Sequence, residues 1–347
     1  MSFQRTSLGL INALLRPFGA ELAPARELER LRADGLPTDP DSRPHRPLPD
    51  EAAEYLRADN PRLRELIERY AKAPGAVTGH SLWTTEYIER EVELQRFRAD
   101  NAYVYQFRDR NTEANHLLTA YYLATIDRLA LLERLTDDEL FGAIAFPWKG
   151  GQMVTRDLLD SIAEIEFLDE TLRISERRDY HVLDIGAGYG RLAQRLVEAF
   201  SGVSVHATDA LAVSTFLCEF NLRFRDASPR ASAVPLDELD TLLGRQPIDL
   251  ATNVHSFSEC PLNAVGWWLD LLRDHKVPHL MIIPNVDDHG GHRLTAREPN
   301  GDRVDFLPEL ERRGYKLAVK RPKFADEAIQ RVGVSPSQHY LFELHTN

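Results

Sequence analysis

A nonapeptide with three glycines at alternate positions is the strongest constraint on what this chain can fold into. Residues 182–190 read Val-Leu-Asp-Ile-Gly-Ala-Gly-Tyr-Gly, so an apolar strand runs directly into Gly186, Gly188 and Gly190. Asp184 lies in that strand, and a helical pattern of apolar residues begins directly after the last glycine. A strand, a glycine turn and a helix in this order allow the backbone to approach a nucleotide-like ligand closely.

The spacing of the glycines distinguishes two classes of nucleotide-like ligand. A dinucleotide-binding turn has the pattern Gly-x-Gly-x-x-Gly, and its third glycine allows the helix to pack against the strand. Arg191 occupies that third position, which disfavours a dehydrogenase. The pattern Asp-x-Gly-x-Gly-x-Gly instead resembles motif I of class I S-adenosylmethionine (SAM) methyltransferases. The resemblance implies cofactor contacts from Asp184, Gly186, Ala187, Gly188 and Tyr189.

Strand and helix patterns alternate from residue 176 to the C-terminus. This alternation predicts an α/β fold with a largely parallel sheet. The last strand pattern is similar to the final strand of class I methyltransferases, which is antiparallel to the others. We therefore predict a Rossmann-like, seven-stranded, mostly parallel sheet with an antiparallel last strand. The predicted strands are 181–185, 203–208, 232–236, 248–254, 279–284, 315–320 and 339–345.

Composition divides the chain into three predicted parts. Residues 1–50 combine an apolar helical pattern with five prolines between residues 36 and 50, which predicts a helix followed by a proline-rich arm. Residues 51–175 have mostly helical patterns and are expected to cover the substrate, whereas residues 176–347 form the predicted SAM-binding domain. Thr155 is expected to cap an amphipathic helix that leads into the first strand of that domain.

Charge and cysteine content limit the class of protein. The formal net charge is −12, and nucleic-acid binding needs a basic face, so a nucleic-acid partner is not expected. Two cysteines, Cys218 and Cys260, indicate a reducing compartment rather than a disulfide framework. The sequence shows neither a signal peptide nor a long apolar run, which predicts a cytoplasmic protein without stable membrane insertion. The apolar surface of the N-terminal helical patterns favours a homodimer.

Acids at the ends of the next two strands extend the predicted cofactor site. Asp209 lies 21 residues after Gly188, where an acid accepts hydrogen bonds from ribose hydroxyls. Asp237 ends the third strand, which in the methyltransferase fold faces the adenine edge. For both acids, capping of the following helix is the alternative role. The other predicted cofactor contacts are Ala210, Asn253 and Val254.

Polar residues interrupt the end of the fourth, otherwise apolar strand. Ligands of open α/β sheets collect at the carboxyl ends of the strands, so these residues are expected to face the cofactor or the acceptor. We predict that His255 is the general base, that Glu259 orients it and that Ser256 contacts the substrate. His289 is the alternative base, and a structural role is the alternative for His255.

A loop with two acids and two histidines follows the fifth strand. Residues 285–292 read Asn-Val-Asp-Asp-His-Gly-Gly-His. Asp287 and Asp288 are candidate ligands of Mg²⁺, which we treat as an optional second cofactor, although their spacing matches no established metal motif. A polar glycine loop without a metal is the alternative.

Two longer segments narrow the resemblance to one family. The pattern Asp-Leu-Leu-x-Ser-Ile-x-Glu-Ile at 157–165 and the pattern Asn-x-His-Ser-Phe-Ser-Glu at 253–259 resemble the sugar O-methyltransferases of bacteria, over roughly residues 140–345. The resemblance implies an enzyme that transfers the methyl group of SAM to a saccharide hydroxyl. For actinobacterial members it implies mannose or glucose polysaccharides as targets.

Aromatic side chains are candidates for stacking on a sugar ring. Trp148 is the preferred contact, and Tyr103 is a second predicted substrate contact; Trp83, Tyr105 and Phe107 are weaker candidates. Two other functions stay open, namely methylation of a non-sugar metabolite and a non-catalytic binding role. A deep apolar acceptor pocket would favour the non-sugar metabolite, whereas a polar groove flanked by aromatic rings would favour a sugar.

Overall fold

The computed structural model describes residues 46–79, 82–99, 103, 113–285 and 292–345, and a seven-stranded sheet organises them. Among these residues no helix has the length and apolar content needed to cross a bilayer. The helices are α1 (Asp50–Tyr55), α2 (Pro61–Tyr70), α3 (Gly75–Thr78), α4 (Thr85–Glu91), α5 (Glu113–Ile126), α6 (Leu131–Arg134), α7 (Arg156–Leu172), α8 (Arg191–Ala199), α9 (Ala212–Phe224), α10 (Leu239–Leu243), α11 (Leu262–Asp274), α12 (Leu307–Arg312) and α13 (Glu327–Val332). The strands are β1 (Ala145–Pro147), β2 (Met153–Thr155), β3 (Tyr180–Ile185), β4 (Val203–Thr208), β5 (Ala231–Ala233), β6 (Leu250–His255), β7 (His279–Pro284), β8 (Thr295–Arg297), β9 (Arg303–Asp305), β10 (Tyr315–Pro322) and β11 (Gln338–Leu344).

The sheet has the strand order β10-β11-β7-β6-β3-β4-β5. The strands from β7 to β5 pair in parallel, and β11 is antiparallel to both of its neighbours. The predicted Rossmann-like α/β sheet with an antiparallel last strand is therefore confirmed. Strands β4 and β7 have the predicted bounds. β5 ends at Ala233, earlier than predicted, and Pro235 has no amide hydrogen with which to extend the ladder.

Helix α7 lies between the sheet and the helical region and is buried along almost its whole length. The Oγ1 atom of Thr155 accepts a hydrogen bond from the amide of Leu158 at 3.1 Å, which is the predicted N-cap. The predicted polar face does not face solvent, since Asp157, Asp160 and Glu164 are buried as well. Arginine and lysine side chains pair with these acids and so compensate for their burial.

A buried ion-pair cluster joins the helical region to the helices of the sheet. We call it the Arg98 cluster, and it consists of Arg98, Arg195, Arg225, Asp137, Asp138 and Asp157. The side chain of Arg98 is only 4% exposed and lies 2.7 Å from Asp137, 3.1 Å from Asp138 and 2.9 Å from Asp157. Three arginines therefore face three aspartates in this cluster, and Arg195 also pairs with Glu198 at 2.8 Å.

One hydrophobic cluster contains residues from both sides of position 175, the predicted boundary of the SAM-binding domain. Leu158 and Ile162 of α7 belong to it, as do Val182 of β3 and Leu192 of α8. All described residues fall within one compact unit, His45–Asn347. The helical region and the sheet thus share a core. Most of the predicted N-terminal helix and arm lies outside the described residues.

Candidate functional site

A cavity of about 500 Å³ opens at the carboxyl ends of the central strands, the usual place for a ligand in an open α/β sheet. The glycine turn after β3 lines it together with residues that end β4, β6 and β7. Most of the predicted site residues therefore meet in one place. Those that line the cavity are Tyr103, Asp184, Gly186, Ala187, Gly188, Tyr189, Asp209, Ala210, Val254, His255, Ser256 and Glu259.

The glycine turn requires glycine at its first two positions. Gly186 has a φ of +68°, and a Cβ atom there would lie 2.2 Å from the hydroxyl oxygen of Ser256. Gly188 has a φ of +57°, and a Cβ atom there would lie 3.3 Å from the ring of Tyr103. The side chain of Ser256, directly after β6, thus leaves no room for a Cβ atom at Gly186, and the positive φ values at both positions favour glycine.

Asp209 connects the end of β4 to the glycine turn. One carboxylate oxygen accepts a hydrogen bond from the amide of Gly188 at 2.9 Å, and the other accepts one from the amide of Leu211 at 2.9 Å. A carboxylate has about four acceptor positions, so these two bonds leave capacity for a ligand in the cavity. Burial raises the pKa of Asp209 to about 6, although both backbone hydrogen bonds act in the opposite direction.

Asp184 is the second buried acid of the cavity. Its carboxyl group accepts a hydrogen bond from the hydroxyl of Thr252 at 2.7 Å. Burial raises the pKa of Asp184 to about 7, against the effect of this hydrogen bond. Both acids would ionise more readily beside a cation or a hydroxyl donor, so their environment fits a cationic ligand that carries hydroxyl groups.

His255 lies at the end of β6 and faces the cavity with a strained backbone. Its φ of +68° is uncommon for a residue with a Cβ atom. Neither imidazole nitrogen has a hydrogen-bond partner among the described residues. Burial lowers the pKa of His255 to about 3, and the cations Arg156, Arg191 and Lys323 add to this effect. The ring is therefore neutral, and its protonation is disfavoured in the absence of a ligand.

Glu259 has partners other than the one predicted for it. One carboxylate oxygen accepts a hydrogen bond from the indole N–H of Trp83 at 2.8 Å, and the other accepts one from the side-chain amide of Asn285 at 2.7 Å. Both oxygens accept hydrogen bonds from these residues, and the orienting role toward His255 stays a prediction. Burial raises the pKa of Glu259, and the two hydrogen bonds oppose that rise.

Two predicted cofactor contacts lie outside the cavity lining. Asp237 is exposed and pairs with Arg69, whose Nε lies 2.9 Å from a carboxylate oxygen. The hydrogen bond from Arg69 lowers the pKa of Asp237. Asn253 is buried, donates to the carbonyl of Ile185 at 3.0 Å and accepts from the amide of Phe257 at 2.9 Å. Its amide is used to fix the turn after β6, which is a positioning role.

Trp148, the preferred aromatic contact, also lies outside the cavity lining. Its ring packs edge-on against Tyr121, with 4.6 Å between the ring centroids, beside the β1–β2 hairpin. Trp83 lines the cavity instead and lies against Tyr103, with ring centroids 5.3 Å apart. The local sequence does not show which of the two tryptophans lines the cavity, because tertiary packing decides it.

The sequence does not predict much of the cavity wall. The α7 wall consists of His255 with residues from α7 and from the segment before β11: Arg156, Asp160, Ser335 and Ser337. The Glu259 wall consists of Trp83, Glu259, Asn285, Arg297 and Arg303. The last two face each other across the three-residue β8–β9 ladder. Such short strands carry little hydrophobic pattern, and the charged residues of α7 resemble those of a solvated helix face.

Within the part of the chain that the structure describes, no group of three histidine, cysteine, aspartate or glutamate side chains is placed to hold a metal ion. Asp287, Asp288 and His289 lie outside that part. The Mg²⁺ ligands and the alternative base therefore stay predictions.

Comparison with known proteins gives similarities of fold. No family model and no curated protein matches the chain. One similar solved structure is magnesium protoporphyrin IX methyltransferase from Synechocystis PCC 6803 with bound SAH (12% identity, TM-score 0.40, covering 66% of this chain and 98% of that chain). Another is a SAM-dependent methyltransferase from Aquifex aeolicus (16% identity, TM-score 0.37, covering 51% of this chain and 89% of that chain). A third is the cyclase SpnF (16% identity, TM-score 0.38, covering 67% of this chain and 97% of that chain). At these values the likeness says nothing about the reaction.

Proposed function

We propose that this chain binds SAM in the cavity and transfers its methyl group to a hydroxyl of a saccharide. The observation that carries the proposal is the placement of the glycine turn and two buried acids, Asp184 and Asp209, around one cavity. The turn allows close approach of the backbone, Asp209 accepts hydrogen bonds from ribose hydroxyls, and Asp184 favours the cationic part of the ligand. When bound, SAM would supply a methyl group that is activated by its sulfonium sulfur, and the sulfur would be the leaving group when an oxygen nucleophile attacks the methyl carbon.

Polar groups around one aromatic ring support a saccharide as the acceptor. Trp83 lines the Glu259 wall, and an indole ring stacks on the apolar face of a sugar. The carboxylate of Glu259 and the amide of Asn285 can exchange hydrogen bonds with hydroxyl groups. Charged and hydroxyl-bearing side chains contribute to the described lining, and such groups suit an acceptor that carries hydroxyl groups.

His255 takes the acceptor proton in this proposal. The acceptor oxygen forms its bond to the methyl carbon while the bond from carbon to sulfur breaks and leaves a neutral thioether. The hydroxyl proton passes to an imidazole nitrogen of His255 and then to solvent. Most of the catalytic effect comes from alignment of the reacting atoms, and proton acceptance adds to it. The strained backbone of His255 supports a catalytic role, because such strain is concentrated at functional sites.

Replacing Asp209 with alanine is expected to weaken SAM binding by about 10- to 100-fold, since hydrogen bonds to a charged group are lost. Calorimetric titration of the purified chain with SAM measures the dissociation constant, and NAD⁺ serves as the comparison ligand. Asp59→Ala is the control, because this exposed acid pairs with Arg57 and does not line the cavity, so its loss should leave SAM affinity unchanged. A wild-type chain that does not bind SAM would contradict the proposal.

SAM affinity is expected to rise as the pH increases through about 6 to 7. Burial raises the pKa of Asp209 to about 6 and that of Asp184 to about 7 before the ligand binds. The cationic ligand favours the ionised carboxylates, so binding lowers both pKa values and releases protons. Affinity is thus lowest where both groups are protonated and levels off where both are ionised. Calorimetry in buffers of different ionisation enthalpy measures the released protons, and a constant affinity from about pH 5 to 8 would argue against this linkage.

A further inference from the structure

Two histidines of neighbouring strands face each other on one side of the sheet, outside the cavity lining. His181 lies in β3 and His206 in β4. In the ladder between these strands His181 pairs with Ser204 and Leu183 pairs with His206, so the two histidines occupy diagonal positions on the same face. The Nδ1 atom of His181 lies 3.4 Å from the Nε2 atom of His206, and the two ring planes differ by only 8°.

The other nitrogen of each ring has a polar neighbour. The Nε2 atom of His181 lies 3.1 Å from a carboxylate oxygen of Asp179. A carboxylate only accepts hydrogen bonds, so the neutral ring of His181 carries its hydrogen on Nε2 and a lone pair on Nδ1. The Nδ1 atom of His206 lies 3.5 Å from the hydroxyl of Ser232, which pairs with His206 across the β4–β5 ladder. Partners of this kind orient histidines that bind a metal through the opposite ring nitrogen.

The distance between the facing nitrogens is that of two ligands of one ion. A separation of 3.4 Å is longer than an ordinary hydrogen bond from an N–H group, which spans about 2.7–3.2 Å. Two imidazole nitrogens that each lie about 2.0–2.1 Å from a tetrahedral zinc ion are about 3.3–3.4 Å apart. Burial and the neighbouring His181 lower the pKa of His206 to about 4, so its ring is neutral near pH 7, as metal binding requires.

Carboxylates and solvent complete the surroundings of the pair. Asp249 accepts a hydrogen bond from the backbone amide of His181 at 2.8 Å, and Asp179 contacts its ring. Both carboxylates favour a cation beside the pair. His181 and His206 are half-buried, so water can occupy the coordination positions that the protein leaves open.

We propose that the Nδ1 atom of His181 and the Nε2 atom of His206 bind one divalent transition-metal ion of the class that prefers imidazole ligands, with Zn²⁺ as its representative. The site supplies two protein ligands and water supplies the others, which agrees with the absence of any three-ligand group among the described residues. Such a site exchanges its ion with solvent and joins β3 to β4. The inference is independent of the proposed function, because both histidines lie outside the cavity lining.

The test is calorimetric titration of the full chain with zinc chloride, in a buffer that does not bind zinc. His181→Gln and His206→Gln are each expected to weaken binding at one zinc site by at least about 10-fold. His279→Gln is the matched control, since this half-buried histidine belongs to β7 of the same sheet. Through Leu250 it is in register with Val182, which places it on the opposite face from His181, and its loss should leave zinc binding unchanged.

Nuclear magnetic resonance of the ring nitrogens of the wild type serves if the glutamine variants do not fold. Zinc is expected to shift the Nδ1 resonance of one histidine and the Nε2 resonance of another at the same metal concentration. Zinc that shifts no such pair, or that binds both folded glutamine variants as tightly as the wild type, would overturn the site. The SAM affinity of all three variants should equal that of the wild type, so the result does not depend on the reaction of the cavity.

Discussion

Replacing His255 with glycine is expected to lower the rate of methyl transfer by about 10²- to 10⁴-fold, which is the usual contribution of general acid–base catalysis. The same change should leave the fold as stable as before or more stable. The φ of +68° strains a residue with a Cβ atom, at a cost of about 1–3 kcal/mol, and glycine removes that strain. A loss of rate without a loss of stability separates a catalytic side chain from a structural one.

The measurement is release of SAH from SAM in the presence of mannoside and glucoside acceptors, together with the melting temperature and the SAM dissociation constant. His275→Ala is the control, because this histidine caps the C-terminal end of α11 and does not line the cavity. Its rate should equal that of the wild type. A glycine variant with near wild-type turnover would remove His255 from the reaction, and a strongly destabilised one would favour a structural role.

Replacing Arg98 with methionine is expected to lower the free energy of unfolding by about 3–5 kcal/mol, the usual cost of breaking a buried ion pair from one side. Arg98 contacts all three aspartates of the Arg98 cluster, and its side chain is 4% exposed. Its removal leaves buried carboxylates with only Arg195 and Arg225 to balance them. Denaturant unfolding of both proteins measures the difference.

The pH dependence of this difference provides an internal check. Burial disfavours ionisation of Asp137, but Arg98 and Arg195 outweigh this effect and hold its pKa below the ordinary value. An acid with a lowered pKa in the folded state stabilises the fold above the ordinary pKa of about 4 and loses that contribution as the pH falls. The difference between wild type and Arg98→Met should therefore shrink in acid.

Arg57 provides a matched control for the Arg98 experiment. It also forms a short ion pair with an aspartate, Asp59 at 2.9 Å, but both side chains are more than half exposed. Exposed pairs contribute little to stability, so Arg57→Met should unfold at nearly the same denaturant concentration as the wild type. Similar losses of unfolding free energy in Arg98→Met and Arg57→Met would show that burial of the Arg98 cluster does not cause the destabilisation.

The sheet could be predicted because its signals are local. The central strands are short, largely apolar runs bounded by turn residues, and the glycine turn follows the first of them directly. Asp184 and Asp209 could be predicted for the same reason, since both lie at fixed distances from that turn. Parallel pairing then brings the ends of these strands together without any further information.

The walls of the cavity depend on contacts between distant segments, and here the sequence is much less informative. Asp237 is predicted as an adenine contact from its position, but its pairing with Arg69, which lies 168 residues earlier, has no signal in the local sequence. Asp160 has the spacing of a solvated helix residue but is buried, and one of its two cationic partners, Lys323, comes from a distant part of the chain. The residues next to an acid in the sequence do not indicate which distant side chain will pair with it.

The shared hydrophobic cluster limits how this architecture can diversify. Leu158 and Ile162 pack with Val182 and Leu192, so a recombination junction near residue 175 would cut through a core rather than a linker. The helical region is therefore not an independent domain that could be exchanged between related proteins. New acceptor preferences on this scaffold would have to arise by point substitutions along the cavity rim.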